Sequence, residues 1–474
     1  MATTDRDLLV RIDDPAAGWV DRFFKISQRG SSVRTEIVAG FATWLTTAYI
    51  LFVNPAILGA VPDRAGTALA FPQVLTVTAL AAGVMTLAMG LYANYPFAIA
   101  AGLGLNGFVA FTLVATLGLT WPQAMGVIVI EGAVISILVL TGFREAVLNA
   151  IPMDLKRAIA IGIGLFLAII GLVNGGIVVS SEATLITLNP NLSTLRVLTF
   201  AVGLAITATL VVRKMKGGLL IGILATTAFA IVLNEVWGGG TLWASVGPGV
   251  AKIPSKIVSS PDFGLLGKVS FGVFDVLGLA TAAAAILAVM LSDFFDTMGT
   301  VVGLADEAGL LDEEGRLPRI DRVLLVDSVA AAAGGLASAS SNTTYIESAA
   351  GIGEGGRTGL TSVVVGALFL LAIFLSPIAG VIPSEATAPV LVIVGYFMMQ
   401  SVGEISWRDP AVGIPALLTV VMMPFTYSIT NGVGAGFLAY VVIKVLQGKA
   451  RDVHPLLYLV SGVFTWYFVH GLLA

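Results

Sequence analysis

Apolar stretches that approach the thickness of a lipid bilayer recur along this chain from Val33 to its last residue. Hydrophobic residues make up 57% of the sequence and charged residues only 11%, whereas about 25% of the residues in a typical soluble domain are charged. Inside lipid, helices satisfy all of their own backbone hydrogen bonds. The pattern therefore predicts an all-α polytopic membrane protein.

About fourteen transmembrane segments are predicted from these stretches and from the Gly, Pro and charged residues that interrupt them. They cover residues 34–57, 73–92, 98–117, 122–141, 154–173, 195–212, 217–237, 272–292, 320–337, 343–356, 359–376, 386–403, 411–428 and 431–447. A further apolar stretch, Pro455–Leu473, is long enough to be a fifteenth segment but could equally lie against the bundle or in the interface.

Basic residues concentrate in every second connection between the segments, which predicts that those connections face the cytoplasm. Examples are Arg22 and Lys25 before the first segment, Lys156 after the fourth and Lys214 after the sixth. The connection 238–271 carries three lysines and departs from this alternation. No cleavable signal peptide is visible in residues 1–32. We therefore predict a multi-pass protein of the inner (plasma) membrane with a cytoplasmic N-terminus.

Two segments have unusual sequences. The third starts at Tyr95-Pro96 and continues with a glycine-rich run at 101–107, and the tenth, 338–351, is polar but almost uncharged. Unwound backbone at membrane depth is tolerated only where protein or a water-filled cavity satisfies it, so helices 3 and 10 should be broken and line an internal site. They hold the third place in each set of seven, which predicts a 7+7 inverted repeat.

Ionisable groups inside membrane segments are costly, and each is a candidate functional residue. Asp293 and Asp296 are three positions apart in the eighth segment and should project from similar faces. Glu347 lies where the tenth helix resumes, near a positive dipole end that favours a carboxylate. Asn106 is its uncharged counterpart in the third segment. Two further buried acids, Glu131 and Asp327, are expected to be structural.

These side chains suit a flat, neutral heterocycle, because carboxylates accept N–H groups and an amide both donates and accepts. The carboxylates could also bind and release a proton. Other roles remain open at this stage: Asp296 could form a helix-to-helix hydrogen bond, and Asn106 could cap the resumed half-helix.

Several classes of function are excluded by what the sequence lacks. The chain has no cysteine, and its two histidines, His454 and His470, do not have a zinc-ligand spacing, so no metal site is expected. A net charge of −4 argues against a nucleic-acid partner. There is no Walker A motif, which excludes transport driven by ATP hydrolysis on this chain. The G-x-G-x-x-G matches lie in or beside membrane segments rather than in a soluble βαβ unit, so they do not indicate a dinucleotide site. We therefore expect no cofactor.

Along nearly its whole length the sequence resembles the AzgA-type purine permeases, a branch of the nucleobase and ascorbate transporter superfamily. The matching stretches include the motif Asp293-Phe-Phe-Asp-Thr-Met-Gly-Thr300 and residues 34–55, 102–106, 344–351, 356–359 and 423–429. Together these stretches are specific to the family, whereas any one of them alone would not be.

The resemblance implies fourteen helices divided between a core domain and a gate domain. The implied division is a cytoplasmic N-terminal segment (1–33), core (34–142), gate (143–240), an extracytoplasmic loop (241–271), core (272–378), gate (379–450) and a C-terminal apolar segment (451–474). It also implies an elevator-like alternating-access mechanism.

The resemblance further implies a purine site formed by Asn106, Asp293 and Glu347, with Thr344 at the start of the tenth-segment motif, and places proton coupling on Glu347, Asp293 and Asp296. The expected activity is secondary active, proton-coupled uptake of adenine, guanine or hypoxanthine by a homodimer. Rival hypotheses are a permease for uracil, xanthine, urate or sulfate, an intramembrane acid-base enzyme, and a passive channel. An anion such as sulfate would require Arg or Lys at the site, and none precedes Arg357 in the two interrupted segments.

Overall fold

The structure is a computed structural model that describes residues 18–141, 151–181, 184–244, 250–254, 256–312, 317–379 and 381–473. Its helices are α1 (Trp19–Phe24), α2 (Val33–Thr47), α3 (Ile50–Leu58), α4 (Phe71–Ala88), α5 (Leu103–Gly107), α6 (Trp121–Leu140), α7 (Met153–Asn174), α8 (Leu195–Val212), α9 (Gly218–Val236), α10 (Val273–Glu307), α11 (Ile320–Ala337), α12 (Ala349–Gly353), α13 (Gly359–Ala372), α14 (Ser376–Ala379), α15 (Ser384–Met398), α16 (Pro410–Phe425), α17 (Ile429–Leu446) and α18 (Pro455–Leu473).

Among the described residues, ten helical spans are long and apolar enough to cross a membrane. The other four predicted segments correspond to the two interrupted ones, to α11, which carries Asp321, Arg322 and Asp327, and to α16, which is shorter. The chain is therefore a helical multi-pass membrane protein. The stretch left open by the sequence, Pro455–Leu473, is a helix that packs against α17 and α10.

The eighth segment is longer than predicted. The prediction ended it at residue 292, before Asp293, whereas α10 runs to Glu307 and comprises 35 residues. Neither aspartate ends the helix, because Asp293 is buried and Asp296 lines a cavity between the helices rather than facing lipid. At Gly278 the backbone has φ 70° and ψ 169°, a conformation essentially restricted to glycine, which joins two helical pieces at an angle.

The helices pack in two groups. In the first group, α11 packs on α6 and α13 packs on both α2 and α4, while α10 packs on α6. In the second group, α7 packs on α15 and α16, α16 on α17, and α8 on α9. Helix α10 also contacts α7 and α17, so it lies where the two groups meet.

Close helix contacts in the first group depend on small residues, as is usual in membrane proteins. A Cβ atom at Gly132 of α6 would lie 2.3 Å from the backbone nitrogen of Ala332 in α11. No larger side chain fits without separating the helices. The glycine therefore holds α6 against α11, and its neighbour Glu131 is fully buried.

A buried acid ties the first predicted segment to the eleventh. The Glu36 carboxylate accepts hydrogen bonds from the backbone N–H groups of Arg357 (2.9 Å) and Thr358 (3.2 Å) and from the Thr361 hydroxyl (2.6 Å). Both N–H groups lie just before α13, whose N-cap residue is Thr358, where donors have no intrahelical partner. Glu36 thus supplements the cap made by Thr358 and fixes α13 against α2.

Candidate functional site

The third and tenth segments are both interrupted by short extended stretches that pair with each other. Strand β1 (Ile99–Ala101) runs antiparallel to β4 (Asn342–Thr344), with Ile99 opposite Thr344 and Ala101 opposite Asn342. The Gly102 N–H donates to the Ser341 carbonyl oxygen (2.9 Å), and the Tyr345 N–H donates to that of Ala98 (2.9 Å). The extended backbone at membrane depth is thus satisfied by protein, and the predicted interruptions are confirmed.

Helical structure resumes directly after each strand. Helix α5 begins at Leu103 and continues in a wider π-helical form over Phe108–Thr116. A short turn, Ile346–Ser348, leads from β4 into α12. Besides this pair, the described residues contain one other small sheet, a hairpin of β2 (Val178–Ser181) and β3 (Leu185–Leu188). The all-α prediction therefore holds apart from these four short strands.

A cavity of about 540 Å³ lies where the two interruptions meet α10. Gly104 and Leu105 of α5, Ser292 and Asp296 of α10, and Ile346 line one side, which belongs to the first group of helices. Its other side belongs to the second group and is formed by Met153, Lys156, Arg157, Ile159, Ala160 and Ile163 of α7 with Met398 and Ser401. The volume is in the range of sites that hold small organic molecules.

Glu347 is half-buried next to Ile346, whose side chain is 54% exposed in the cavity wall. The Tyr49 hydroxyl, at the break between α2 and α3, donates a 2.6 Å hydrogen bond to Glu347 Oε1. The Thr46 hydroxyl also donates to the Glu347 backbone carbonyl (3.2 Å). One carboxylate oxygen is therefore held by a tyrosine. Tyr49 was not predicted from the sequence, although a tyrosine in an otherwise apolar segment is a weak indication of such a role.

Asp293 and Asp296 lie about 60° apart around the helix axis, on neighbouring faces as their spacing predicts, but their surroundings differ. Asp296 is exposed to the cavity. Asp293 is buried, with only 1% of its surface exposed, and its Oδ2 accepts a 3.2 Å hydrogen bond from Ser341. The boundary between cavity wall and protein interior falls between them.

Thr344 is engaged by a buried acid. Its backbone N–H (2.8 Å) and its hydroxyl (2.7 Å) both donate to Asp327 Oδ1, while the Thr297 hydroxyl donates to Asp327 Oδ2 (2.6 Å). Asp327 of α11 therefore holds β4 against α10, as expected for a structural acid. Thr344 remains a predicted binding residue, but both of its donors are directed to Asp327.

Asn106 is fully buried, and neither of its side-chain polar atoms has a hydrogen-bond partner within the described residues. Asn106 does not act as a helix cap, because the N-cap residue of α5 is Gly102 and no side chain forms a capping hydrogen bond there. An unsatisfied buried amide costs free energy, so this group is available for a ligand or an ordered water. Its predicted contact with the purine stays a prediction.

The sequence comparisons agree with this geometry. The family described as the Permease family (Xan_ur_permease) matches residues 34–434. The chain belongs to this permease family. The adenine permease AdeP of Escherichia coli K12 is 40% identical over 94% of this chain and 95% of its own length. The guanine/hypoxanthine permease PbuG of Bacillus subtilis 168 is 40% identical over 94% of this chain and 99% of its own.

The resemblance to AzgA-type permeases is thus confirmed, and as a permease the chain is a transporter rather than an enzyme. Among solved structures, the transmembrane domain of the cyanobacterial bicarbonate transporter BicA has a similar fold. Its TM-score is 0.60 at 14% identity, covering 87% of this chain and 96% of that domain. At this identity the similarity concerns the fold alone. Membership of the permease family rests on the sequence relatives.

Proposed function

We propose that this permease takes up purine nucleobases, namely adenine, guanine or hypoxanthine, together with protons. The observation that carries the proposal is a cavity at the junction of the two interrupted segments, with Asp296 in its wall and Glu347 directly after the wall residue Ile346. The similarity to adenine and guanine/hypoxanthine permeases supports the same substrate class.

The polar groups around the cavity match the edge of an uncharged purine. A carboxylate such as that of Asp296 accepts hydrogen bonds from ring N–H or exocyclic amino groups. Asn106, which follows the wall residue Leu105 and is itself fully buried, can both donate and accept. The apolar surfaces of Leu105, Ile346 and Ile163 suit the faces of a planar ring. Predicted contacts also include Asp293 and Thr344. In the present arrangement these two reach the purine only through the neighbouring residues Ser292 and Ile346 or after a rearrangement.

An anionic substrate fits this site less well. The basic residues of the cavity wall, Lys156 and Arg157, lie in the first two turns of α7, away from the interrupted segments. Arg157 is also paired with Glu404 (2.7 Å). The acid of the cavity wall, Asp296, lies on α10 next to the interrupted tenth segment, where it would repel an anion. A permease for another neutral nucleobase, such as uracil or xanthine, is the remaining alternative.

Movement of the first helix group past the second would give alternating access. The pairings α6–α11 and α4–α13 within one group, and α7–α15 within the other, support a core domain and a gate domain. The antiparallel pairing of β1 with β4 supports an inverted 7+7 arrangement of about fourteen helices. With Lys156 and Arg157 beside the mouth, the cavity would open to the cytoplasm, with the N-terminus on the same side.

A proton provides the coupling in this mechanism. A carboxylate that binds a proton together with the purine crosses the apolar barrier at a lower desolvation cost than a charged one. Glu347, Asp296 and Asp293 are the candidates to carry that proton. Uptake is therefore expected to be accumulative and to depend on the proton gradient across the plasma membrane. A homodimer is the proposed assembly.

Radiolabelled purine uptake in cells tests the proposed function. Glu347→Ala and Asp293→Ala should abolish uptake, and an uncoupler should stop accumulation while leaving exchange of labelled for unlabelled purine intact. Wild-type uptake and affinity in both variants would show that the site is misplaced. A competition panel of adenine, guanine, hypoxanthine, xanthine, uracil and sulfate separates the remaining candidates. Accumulation against a gradient excludes a passive channel.

A further inference from the structure

Glu131 of α6 is a buried acid that does not line the cavity and receives no hydrogen bond from the described residues that would explain its burial. It is fully buried, and neither carboxylate oxygen receives a hydrogen bond from a donor in the described part of the chain. Asp327, the other buried acid expected to be structural, has three such donors. A buried carboxylate without a donor or a counter-ion is costly, so its retention in a membrane helix indicates a function.

Glu131 faces Asp293 of α10. Helix α6, which carries Glu131, packs on α10, which carries Asp293, and the two carboxyl groups interact directly. The Ser341 hydroxyl donates its hydrogen to Asp293 Oδ2, which leaves Asp293 Oδ1 and both Glu131 oxygens without a donor. Two carboxylates cannot donate to each other. One added proton supplies the missing hydrogen bond between them.

The surroundings of the pair are acidic. Asp327 of α11 is close enough to repel negative charge on both carboxyl groups, and Asp296, one turn further along α10, repels negative charge on Asp293. Neither member of the pair forms a salt bridge within the described residues. Repulsion between close buried carboxylates disfavours a second negative charge, as in other acid pairs that share a proton.

We propose that Glu131 and Asp293 form a carboxyl pair that holds the transported proton, with Glu131 as its second, previously unassigned member. This inference rests on the proposed purine–proton symport. The pair carries one negative charge when the proton is bound and two when it has left. Because Asp293 directly follows the cavity residue Ser292, binding of the proton beside the site and binding of the purine in it are linked through the same turn of α10.

Transport by the purified full chain in proteoliposomes tests this assignment. Labelled hypoxanthine uptake is measured with an imposed proton gradient, and exchange is measured without one. In Glu131→Gln the amide supplies a permanent donor to Asp293, so exchange should persist within about threefold of wild type, a difference of less than 1 kcal/mol. The stimulation of uptake by the gradient should be lost. Gradient-driven accumulation with the wild-type pH dependence in Glu131→Gln would overturn the inference.

Glu385→Gln is the matched control, because Glu385 is a comparably buried acid at the start of α15 that pairs with Arg196 and Trp243 far from α10. Its gradient stimulation should match wild type. Wild-type protein that exchanges purine without responding to the proton gradient would refute the proposed coupling itself, which distinguishes that failure from a failure at Glu131. Accumulation that follows a sodium gradient instead would also overturn the proposal.

Ser341→Ala provides an independent test that does not depend on how well Glu131→Gln folds. The Ser341 hydroxyl stabilises the ionised form of Asp293, so its removal increases the proton affinity of the pair. The pH at which uptake is half-maximal should therefore rise by about one unit, which corresponds to a tenfold change in proton affinity. An unchanged pH profile would overturn the assignment of the proton to this pair.

Discussion

The hydrogen bond from Tyr49 to Glu347 offers a sharp test of the site, because it joins the break in the first segment to the break in the tenth. The Tyr49 side chain is fully buried, and its hydroxyl lies 2.6 Å from Glu347 Oε1. Tyr49→Phe removes only this donor and keeps the ring. Glu347 then loses the hydrogen bond that fixes its carboxylate, and a purine must bind to a carboxylate that is free to rotate.

A hydrogen bond to a charged group contributes about 1.5–3 kcal/mol. Tyr49→Phe removes this hydrogen bond from the ligand-free protein as well, so only part of its free energy is lost from binding. We therefore expect purine affinity to fall by roughly 1–2 kcal/mol, or about 5- to 30-fold. Equilibrium binding of labelled hypoxanthine to purified protein measures this change. Tyr95→Phe is the control, because its hydroxyl donates to the Pro318 carbonyl (2.5 Å) away from the cavity. Equal affinities for wild type and Tyr49→Phe would refute the assignment of Glu347 as an oriented ligand.

Three further predictions concern the framework around the site. Glu36→Ala should lower the apparent melting temperature in detergent more than any exposed Glu→Ala change, because it leaves the N–H groups of Arg357 and Thr358 without an acceptor; an unchanged melting temperature would contradict the capping role. Gly278→Ala should destabilise the protein by about 1–3 kcal/mol, because alanine is strained at a φ of 70°. No neighbouring atom lies within 4 Å of the added Cβ, so the whole cost comes from the backbone. Equal stability of the two proteins would show that the bend is not strained. Lys216→Glu should slow uptake by no more than about fivefold, because its pairing with Glu354 joins the two helix groups at the surface. The double exchange Lys216→Glu/Glu354→Lys should restore the rate, and failure to do so would show that the pairing is not the cause.

The membrane segments were predictable because their signal is local. Helix α8, for example, has the bounds expected from its apolar run, Leu195–Val212. The interruptions were also predictable, because Gly and the Ser-Asn-Thr run have low helix propensity. Unpaired backbone inside a membrane segment also requires protein or a water-filled cavity to satisfy its hydrogen bonds. The strand pairing of β1 with β4 was not. It depends on contacts between residues about 240 positions apart, which local patterns do not encode.

The arrangement of the acids could be predicted only in part. Their burial follows from their place in membrane segments, but which surface each one faces depends on the packing of α10 against its neighbours. A three-residue spacing was therefore insufficient to assign Asp293 and Asp296 to one surface. The partners of Glu347 and Asp327, namely Tyr49 and Thr297, come from other segments, so the sequence offered no spacing from which to find them.

The structure of this protein with a bound purine tests the central claim most directly. We predict that hypoxanthine or guanine lies between Leu105 and Ile346, with an N–H group within about 3.2 Å of a Glu347 or Asp296 carboxylate oxygen. The third and tenth segments should both be extended where they meet. A purine bound away from both acids, or either segment forming one continuous helix, would contradict the account.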